Sequence, residues 1–176
     1  MQVDQVSAGA LSRYSKPGSA KAMNADERAA LIKRYKEGHR AVMDAFRGIA
    51  DEELDRSASG EWTPRQIAHH LADSEMTAGV RLRRLIVEES PVIQGYDEAE
   101  FAMKLTSDRP IAPSLEVMRY VRESSAQILD RLSESDWQRA GTHSESGPYS
   151  VEDWLRIYAA HGHDHAAQIK RSRGSR

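Results

Sequence analysis

The sequence predicts an all-α protein, a four-helix bundle built from 176 residues. Three observations carry that expectation. Four stretches repeat apolar residues at steps of three, four and seven, the spacing of one helix face. Strand-like alternation is almost absent. The stretch between the second and third helices holds Pro91, Gly95 and Pro110 and is long enough to cross a bundle. The expected organisation is a flexible N-terminal tail over 1–23, a helical domain over 24–170 and a basic tail over 171–176.

The first helix is expected over 25–50. Asn24 followed by Glu27 has the form of a capping box, and Leu31, Ile32, Tyr35, Val42, Met43, Phe46 and Ile49 form its stripe. Residues 51–60, DEELDRSASG, read as a turn. Thr63 caps the second helix and Pro64 takes its first position, where a missing N–H costs nothing. That helix runs to about Glu89, and Pro91 prevents its continuation. A short helix near 97–104 fits within the crossover. The third helix starts near Pro113 or Ser114 and carries Leu115, Met118, Val121, Ile128, Leu129 and Leu132. Residues 133–150 read as loop, with a turn or hairpin in GTHSESGPYS. The fourth helix follows Ser150 with Val151, Trp154, Leu155, Tyr158 and Ile169, and fades into KRSRGSR. Basic residues there suit a helix C-terminus, so they do not by themselves make a nucleic-acid patch.

Composition removes whole classes of function. With no Cys there is no disulfide, no thiolate zinc site and no thiol nucleophile. A metal must then rest on His, Asp or Glu, and there are seven His. The net charge of −2 provides no basic field for nucleic acid. Mean hydropathy is −0.67, and no apolar run approaches the roughly 18 residues of a membrane span. The N-terminus lacks the apolar core of a secretory leader, so a cytoplasmic location is expected.

Histidine placement is the informative feature. On the fourth helix, Val151 and Trp154 set the core direction, and full helical turns from them reach Tyr158, His161, Gly162, His165 and Ile169. His161 and His165 therefore share one face, a turn apart. His163 lies about 200° from His161 and points away, while Asp164 flanks the pair. On the second helix Ile67, Leu71, Ser74, Ala78 and Leu85 form the inward stripe, and His70 falls within it. By the same geometry His69 faces out. Asp73, one turn after His70, is placed to accept an N–H from a ligand imidazole. A single inward His is best read as a hydrogen-bonded core residue. Three repel one another if charged and compete for acceptors if neutral, and a divalent ion removes both problems. The spacing thus selects His70, His161 and His165 as metal ligands, with a coordination position left open as in catalytic zinc. His39 is a weaker fourth-ligand candidate, and His143 reads as a solvated or hydrogen-bonding loop residue.

At these residues the sequence resembles the DinB/YfiT family. WTPRQIAHHLADSEM (62–76) is similar to the signature of that family's second helix, and PVIQGYDEAEFA (91–102) to the segment after it. HSESGPYSVEDWLRIYAAHGHDHAAQI (143–169) resembles its last helix and the loop before it. The resemblance implies a DinB-like four-helix bundle with a long crossover, commonly a homodimer, holding nickel or zinc on three histidines. Matched residue by residue, these are His70, His161 and His165. Ala160 stands where an aromatic residue is frequent, Asp164 where His is frequent and Phe101 where Trp is frequent. None of these departures removes a ligand.

Three functions are compatible with this reading. The first is a metal-dependent hydrolase of a small-molecule substrate, with Asp73 or Asp164 moving protons. The second, implied by family relatives, is a transferase or isomerase that activates a low-molecular-weight thiol, with Tyr158 and Trp154 as pocket walls or plain core. The third is a non-enzymatic, stress-associated metal-binding module.

Overall fold

The chain folds into helices α1 (Ala25–Phe46), α2 (Asp51–Leu54), α3 (Pro64–Val87), α4 (Glu98–Lys104), α5 (Ala112–Leu129), α6 (Glu134–Trp137) and α7 (Val151–Gly174), with strands β1 (Val92–Ile93), β2 (Ala140–His143) and β3 (Gly147–Ser150). This is a computed structural model, and it describes residues 22–57 and 60–174. The expected flexible tail lies outside the described residues up to position 21. Its last residue, Met23, is buried, and its N–H donates to the Glu152 carboxylate at 3.0 Å.

The long helices begin where a side chain satisfies their first N–H groups. Asn24 and Glu27 form a reciprocal capping box, as do Thr63 and Gln66. Ser150 and Asp153 exchange the same bonds at the start of α7, where Asp153 N–H donates to Ser150 Oγ at 3.1 Å and Ser150 N–H to Asp153 Oδ2 at 3.0 Å. Val87 ends α3, and Ser90 turns the chain with φ of 50° ahead of Pro91.

α1 packs along α7 and α5, and α3 along α5 and α7. Consecutive long helices α1 and α3 thus lie on one diagonal of the bundle, α5 and α7 on the other. α3 and α5 run parallel: Arg65 reaches the Arg109 carbonyl before α5, and Arg83 reaches Ser124 late in α5. Parallel neighbours need a connection that returns the whole length of the bundle, about 36 Å for 24 residues. Residues 88–111 are that connection. It is fastened along α3 by Arg84 to the Val92 carbonyl at 2.9 Å, Arg81 to the Gln94 carbonyl at 2.7 Å and Arg65 to the Arg109 carbonyl at 2.8 Å.

The apolar interior falls into two clusters. One gathers Leu82, Leu85, Leu129, Trp154 and Leu155; the other gathers Val42, Phe46, Ile67, Leu71, Leu115, Met118 and Ile169. At mid-height lies a polar layer to which every long helix contributes. Arg122 of α5 forms an ion pair with Glu75 of α3, both fully enclosed. Arg122 Nη1 also donates to the Tyr35 carbonyl of α1 at 2.7 Å, and Nη2 to the Tyr158 carbonyl of α7 at 3.3 Å. Tyr35 Oη donates to Glu75 Oε2 at 3.1 Å. The guanidinium reaches these carbonyls because a Cβ on Gly38 would collide with its Nη1. α1 and α7 approach closely there, since a Cβ on Gly162 would stand 3.1 Å from the Gly38 oxygen.

Several expectations need correction. The first helix ends at Phe46 rather than 50, and the predicted 51–60 turn contains α2, with residues 58–59 outside the described ones. Met43 is exposed while its neighbour Val42 is buried. The loop over 133–150 contains α6, which was not expected, while the turn or hairpin expected in GTHSESGPYS is present as the β2–β3 hairpin. β2 pairs antiparallel with β3 and parallel with β1, giving a three-stranded sheet. Gly141 admits the Pro91 carbonyl against its backbone, which a Cβ would block. The strands are too short to show a period of two, so sequence alternation did not reveal them. The basic tail is helical to Gly174, and Arg173 donates to the Ala45 and Arg47 carbonyls at 2.9 and 3.0 Å. That satisfies the carboxyl end of α1 with a cation, as a helix terminus favours.

Replacing Arg122 by Met strands the Glu75 carboxylate and is expected to cost about 3–5 kcal/mol in urea unfolding. Adding Glu75→Leu should recover part of that loss. Gly162→Ala forces α1 and α7 apart by a few tenths of an ångström, and a destabilisation of about 1–3 kcal/mol is expected in the same measurement.

Candidate metal centre

α3 and α7 run antiparallel, so a residue early in α3 meets residues late in α7. His70 thereby faces His161 and His165. His70 Nε2 lies 3.2 Å from His161 Nε2, and His165 Nε2 lies 3.1 Å from that same atom. The three ligating atoms all fall within 4.8 Å of one another. His70 and His161 are buried, and His165 is half-buried. Burial holds the His70 imidazole well below its ordinary pKa, with the nearby His165 adding to the effect. Burial does the same to His161, reinforced by His165, His70 and Arg122. Both rings are therefore neutral near pH 7, and each has one lone pair.

His165 Nδ1 lies 2.9 Å from Gln168 Oε1, an acceptor. An Nδ1–H donated to that oxygen leaves Nε2 as the lone-pair nitrogen facing the other two rings. His161 Nδ1 is buried without a partner. Three such nitrogens cannot all be satisfied by each other. Two nitrogens on one tetrahedral zinc-like ion, at 2.0–2.1 Å each, stand roughly 3.3 Å apart. The observed separations fit one ion shared by the three rings.

Trp62 closes one side of the group. Its ring lies 4.7 Å from that of His70 and stacks on that of His165 at 6.4 Å, only 5° from parallel. The sequence reading did not single it out. The signal was present: Trp62 immediately precedes the cap Thr63, and Ile67 holds the fourth helical position, the arrangement of a hydrophobic staple. Gln168 was also missed, because a polar residue in the last turns of a helix has no distinguishing mark in the sequence.

The other expected residues separate cleanly. Asp73 is half-buried, its carboxyl is raised by burial, and its Oδ2 is enclosed without a hydrogen-bond partner. Gln168, rather than that oxygen, lies against one of the three converging imidazoles, that of His165. Asp164 is exposed on α7. His163 points away from the group, with Nε2 donating to the Arg34 carbonyl at 3.0 Å. His39 faces Glu116, Arg119 and Glu123 of α5 and is not one of the converging residues. Trp154 and Tyr158 are core residues: Trp154 Nε1 donates to the Ala78 carbonyl at 2.9 Å, and Tyr158 lies in the same apolar cluster.

Two histidines depart from expectation. His69 is buried rather than outward, with Nδ1 2.7 Å from Ser114 Oγ and Nε2 3.3 Å from the Arg109 carbonyl. α3 has two covered faces, one on α7 and one on α5, so the side opposite His70 is also interior. His143 is buried in β2, its Nδ1 accepting from the Glu145 N–H at 3.2 Å and its ring against Tyr149.

The depressed pKa values give a signed expectation. Below about pH 6.5 the unfolded chain binds protons at His70 and His161 that the metal-free folded chain refuses. Stability of the metal-free protein should therefore fall as pH drops below that value, by up to about 1.4 kcal/mol per pH unit for each group. His161→Phe should flatten the decline, as read by urea unfolding at a series of pH values.

The DinB superfamily model matches residues 34–169, most of the chain. A protein of Oceanobacillus iheyensis named "Putative metal-dependent hydrolase OB0782" is 44% identical over 122 residues, covering 69% of this chain and 71% of that protein. A Bacillus licheniformis protein of the same name class is 32% identical over 169 residues, covering 91% of each. Among solved structures, YfiT from Bacillus subtilis is described as a probable metal-dependent hydrolase with an unusual four-helix bundle topology. It superposes with a TM-score of 0.82 at 26% identity, covering 90% of this chain and 93% of that one. A mycothiol-dependent maleylpyruvate isomerase shares the fold at a TM-score of 0.56 and 17% identity, over 84% of this chain and 61% of that one. With its DinB-like four-helix bundle, its long crossover and a match over most of its length, the chain belongs to the DinB superfamily.

Proposed function

We propose that this chain is a metal-dependent hydrolase in which His70, His161 and His165 hold one divalent transition-metal ion, nickel or zinc. The observation that carries the reading is the convergence of three Nε2 atoms, two of them on rings kept neutral by burial. The names of the relatives support it, since they describe metal-dependent hydrolases. Imidazole donors suit both ions. When bound, the ion supplies Lewis acidity at a coordination position the protein leaves open.

The chain's own residues do the rest. Gln168 fixes the His165 tautomer, and Trp62 screens His70 and His165 from water. Asp73 is the preferred proton carrier over the exposed Asp164. Burial raises its carboxyl toward the range useful near neutrality, and its enclosed oxygen has a free lone pair. The substrate is a small molecule. Resemblance to the family adds a homodimer to the proposal, and the polar N-terminal sequence adds a cytoplasmic location.

Changing any of His70, His161 or His165 to Ala should remove stoichiometric metal, measured by elemental analysis, whereas His69→Ala and His163→Ala should keep it. Metal-loaded protein should hydrolyse members of an ester and amide panel, and Asp73→Asn should lower the rate about 10²-fold or more at unchanged metal content. Conjugation of an electrophile that requires an added thiol, without hydrolysis, would instead make the chain a thiol transferase. Full metal content with neither activity would favour the non-enzymatic module.

A further inference from the structure

Among the described residues, the buried arginines have carboxylate partners, with one exception. Arg122 is paired with Glu75, and Arg28 with Glu134 and Glu152. Arg81 of α3 is 7% exposed, yet among the described residues no carboxylate closes an ion pair with it. Its Nη1 donates to Tyr158 Oη at 3.2 Å and its Nη2 to the Gln94 carbonyl at 2.7 Å. Its Nε–H is enclosed with no acceptor. Tying the crossover to α3 accounts for Nη2 alone. An uncompensated guanidinium in the interior is costly, and an enclosed donor without a partner calls for a ligand or another explanation.

The surroundings supply more unmatched groups. Tyr96, from the crossover, places its ring 6.0 Å from the Arg81 guanidinium, and its buried hydroxyl makes no close hydrogen bond, with the Ser74 side chain as a polar neighbour. His143 of β2 has an enclosed, unpartnered Nε2 and feels the charge of Arg81. Glu98 is the carboxyl within electrostatic reach: burial raises it and the Arg81 charge lowers it, and the two do not close an ion pair. Tyr158 links Arg81 to the histidines: its hydroxyl receives the Arg81 bond, and its ring lies 6.0 Å from that of His161. A cationic fork and a buried hydroxyl thus stand one tyrosine away from the three imidazoles, covered by the crossover.

We propose that Arg81 and Tyr96 form an anion subsite that takes the carboxylate of a small-molecule ligand whose other end lies at His70, His161 and His165. Arg81 presents Nε–H to one carboxylate oxygen, and Tyr96 Oη donates to the other. Recognition of the carboxylate does not depend on the ion. Only the identification of that ligand as substrate rests on the hydrolase reading. The structure therefore favours acidic substrates, an amino-acid or dicarboxylate derivative over a neutral ester of equal size.

Propionate and its neutral counterpart propionamide are the probes, titrated into metal-free and metal-loaded protein and followed by amide chemical shifts. Propionate should bind both forms, and propionamide should bind at least tenfold more weakly. Arg81→Gln should weaken propionate at least tenfold with metal content unchanged, and Tyr96→Phe should weaken it severalfold. Arg81→Lys, which keeps the charge without the planar fork, carries the test if the Gln variant does not fold, and it too should lose affinity. Equal binding of the two probes would overturn the subsite. So would propionate binding that appears only with metal and is unaffected by the Arg81 and Tyr96 variants, since the ion would then be the receptor. Absence of metal from wild-type protein would defeat the metal reading while leaving propionate binding in place, so the two fail separately.

Discussion

The Glu75–Arg122 ion pair sits where all four long helices meet, and the rest of the structure is arranged around it. Neither charge touches water, so each must be matched inside the bundle. Arg122 does so by reaching backbone carbonyls of α1 and α7 as well as the carboxylate of α3, and Tyr35 adds a hydroxyl to the carboxylate. Sliding any one helix by a turn would strand a charge or a carbonyl. An apolar core tolerates many registers, whereas this layer tolerates one. It therefore fixes the height at which α3 and α7 face each other, and with it the meeting of His70 with His161 and His165.

That layer also shapes the electrostatics of the site. Arg122 is among the charges that keep His161 neutral. A neutral imidazole is a ligand and a protonated one is not. The same residue thus sets helix register and contributes to the protonation state from which a metal can bind. Gly38 and Gly162 serve the arrangement by omitting side chains, which lets α1 and α7 close around the guanidinium.

The parallel pairing of α3 with α5 has a second consequence. It forces the connection between them to travel back along the bundle, and that return path covers the flank of α3 opposite neither neighbour. Tyr96, Glu98 and the Gln94 carbonyl arrive over Arg81 in this way, and β1 then pairs with the hairpin that leads into α7. A topological necessity thus covers a buried guanidinium.

Helical periodicity and capping chemistry were enough to delimit the four long helices and to select His70, His161 and His165 from seven histidines. These are local properties: the phase of a side chain on a helix depends on spacing, and a cap depends on residues three apart. The failures are equally physical. His69 was placed outward because spacing describes one buried face, and α3 has two. His143, read as a solvated or hydrogen-bonding loop residue, does accept a hydrogen bond, but its burial was not legible because its strand is held by β1, some fifty residues earlier in the chain. Trp62 and Gln168 gain their roles only from what they face across the bundle. The sequence by itself determined which residues share a helical face and that no thiolate could serve as a ligand. Only the tertiary structure decided which faces meet, which polar atoms remain without partners, and hence where Arg81 and the three histidines could act on the same molecule, because those depend on helix order and register.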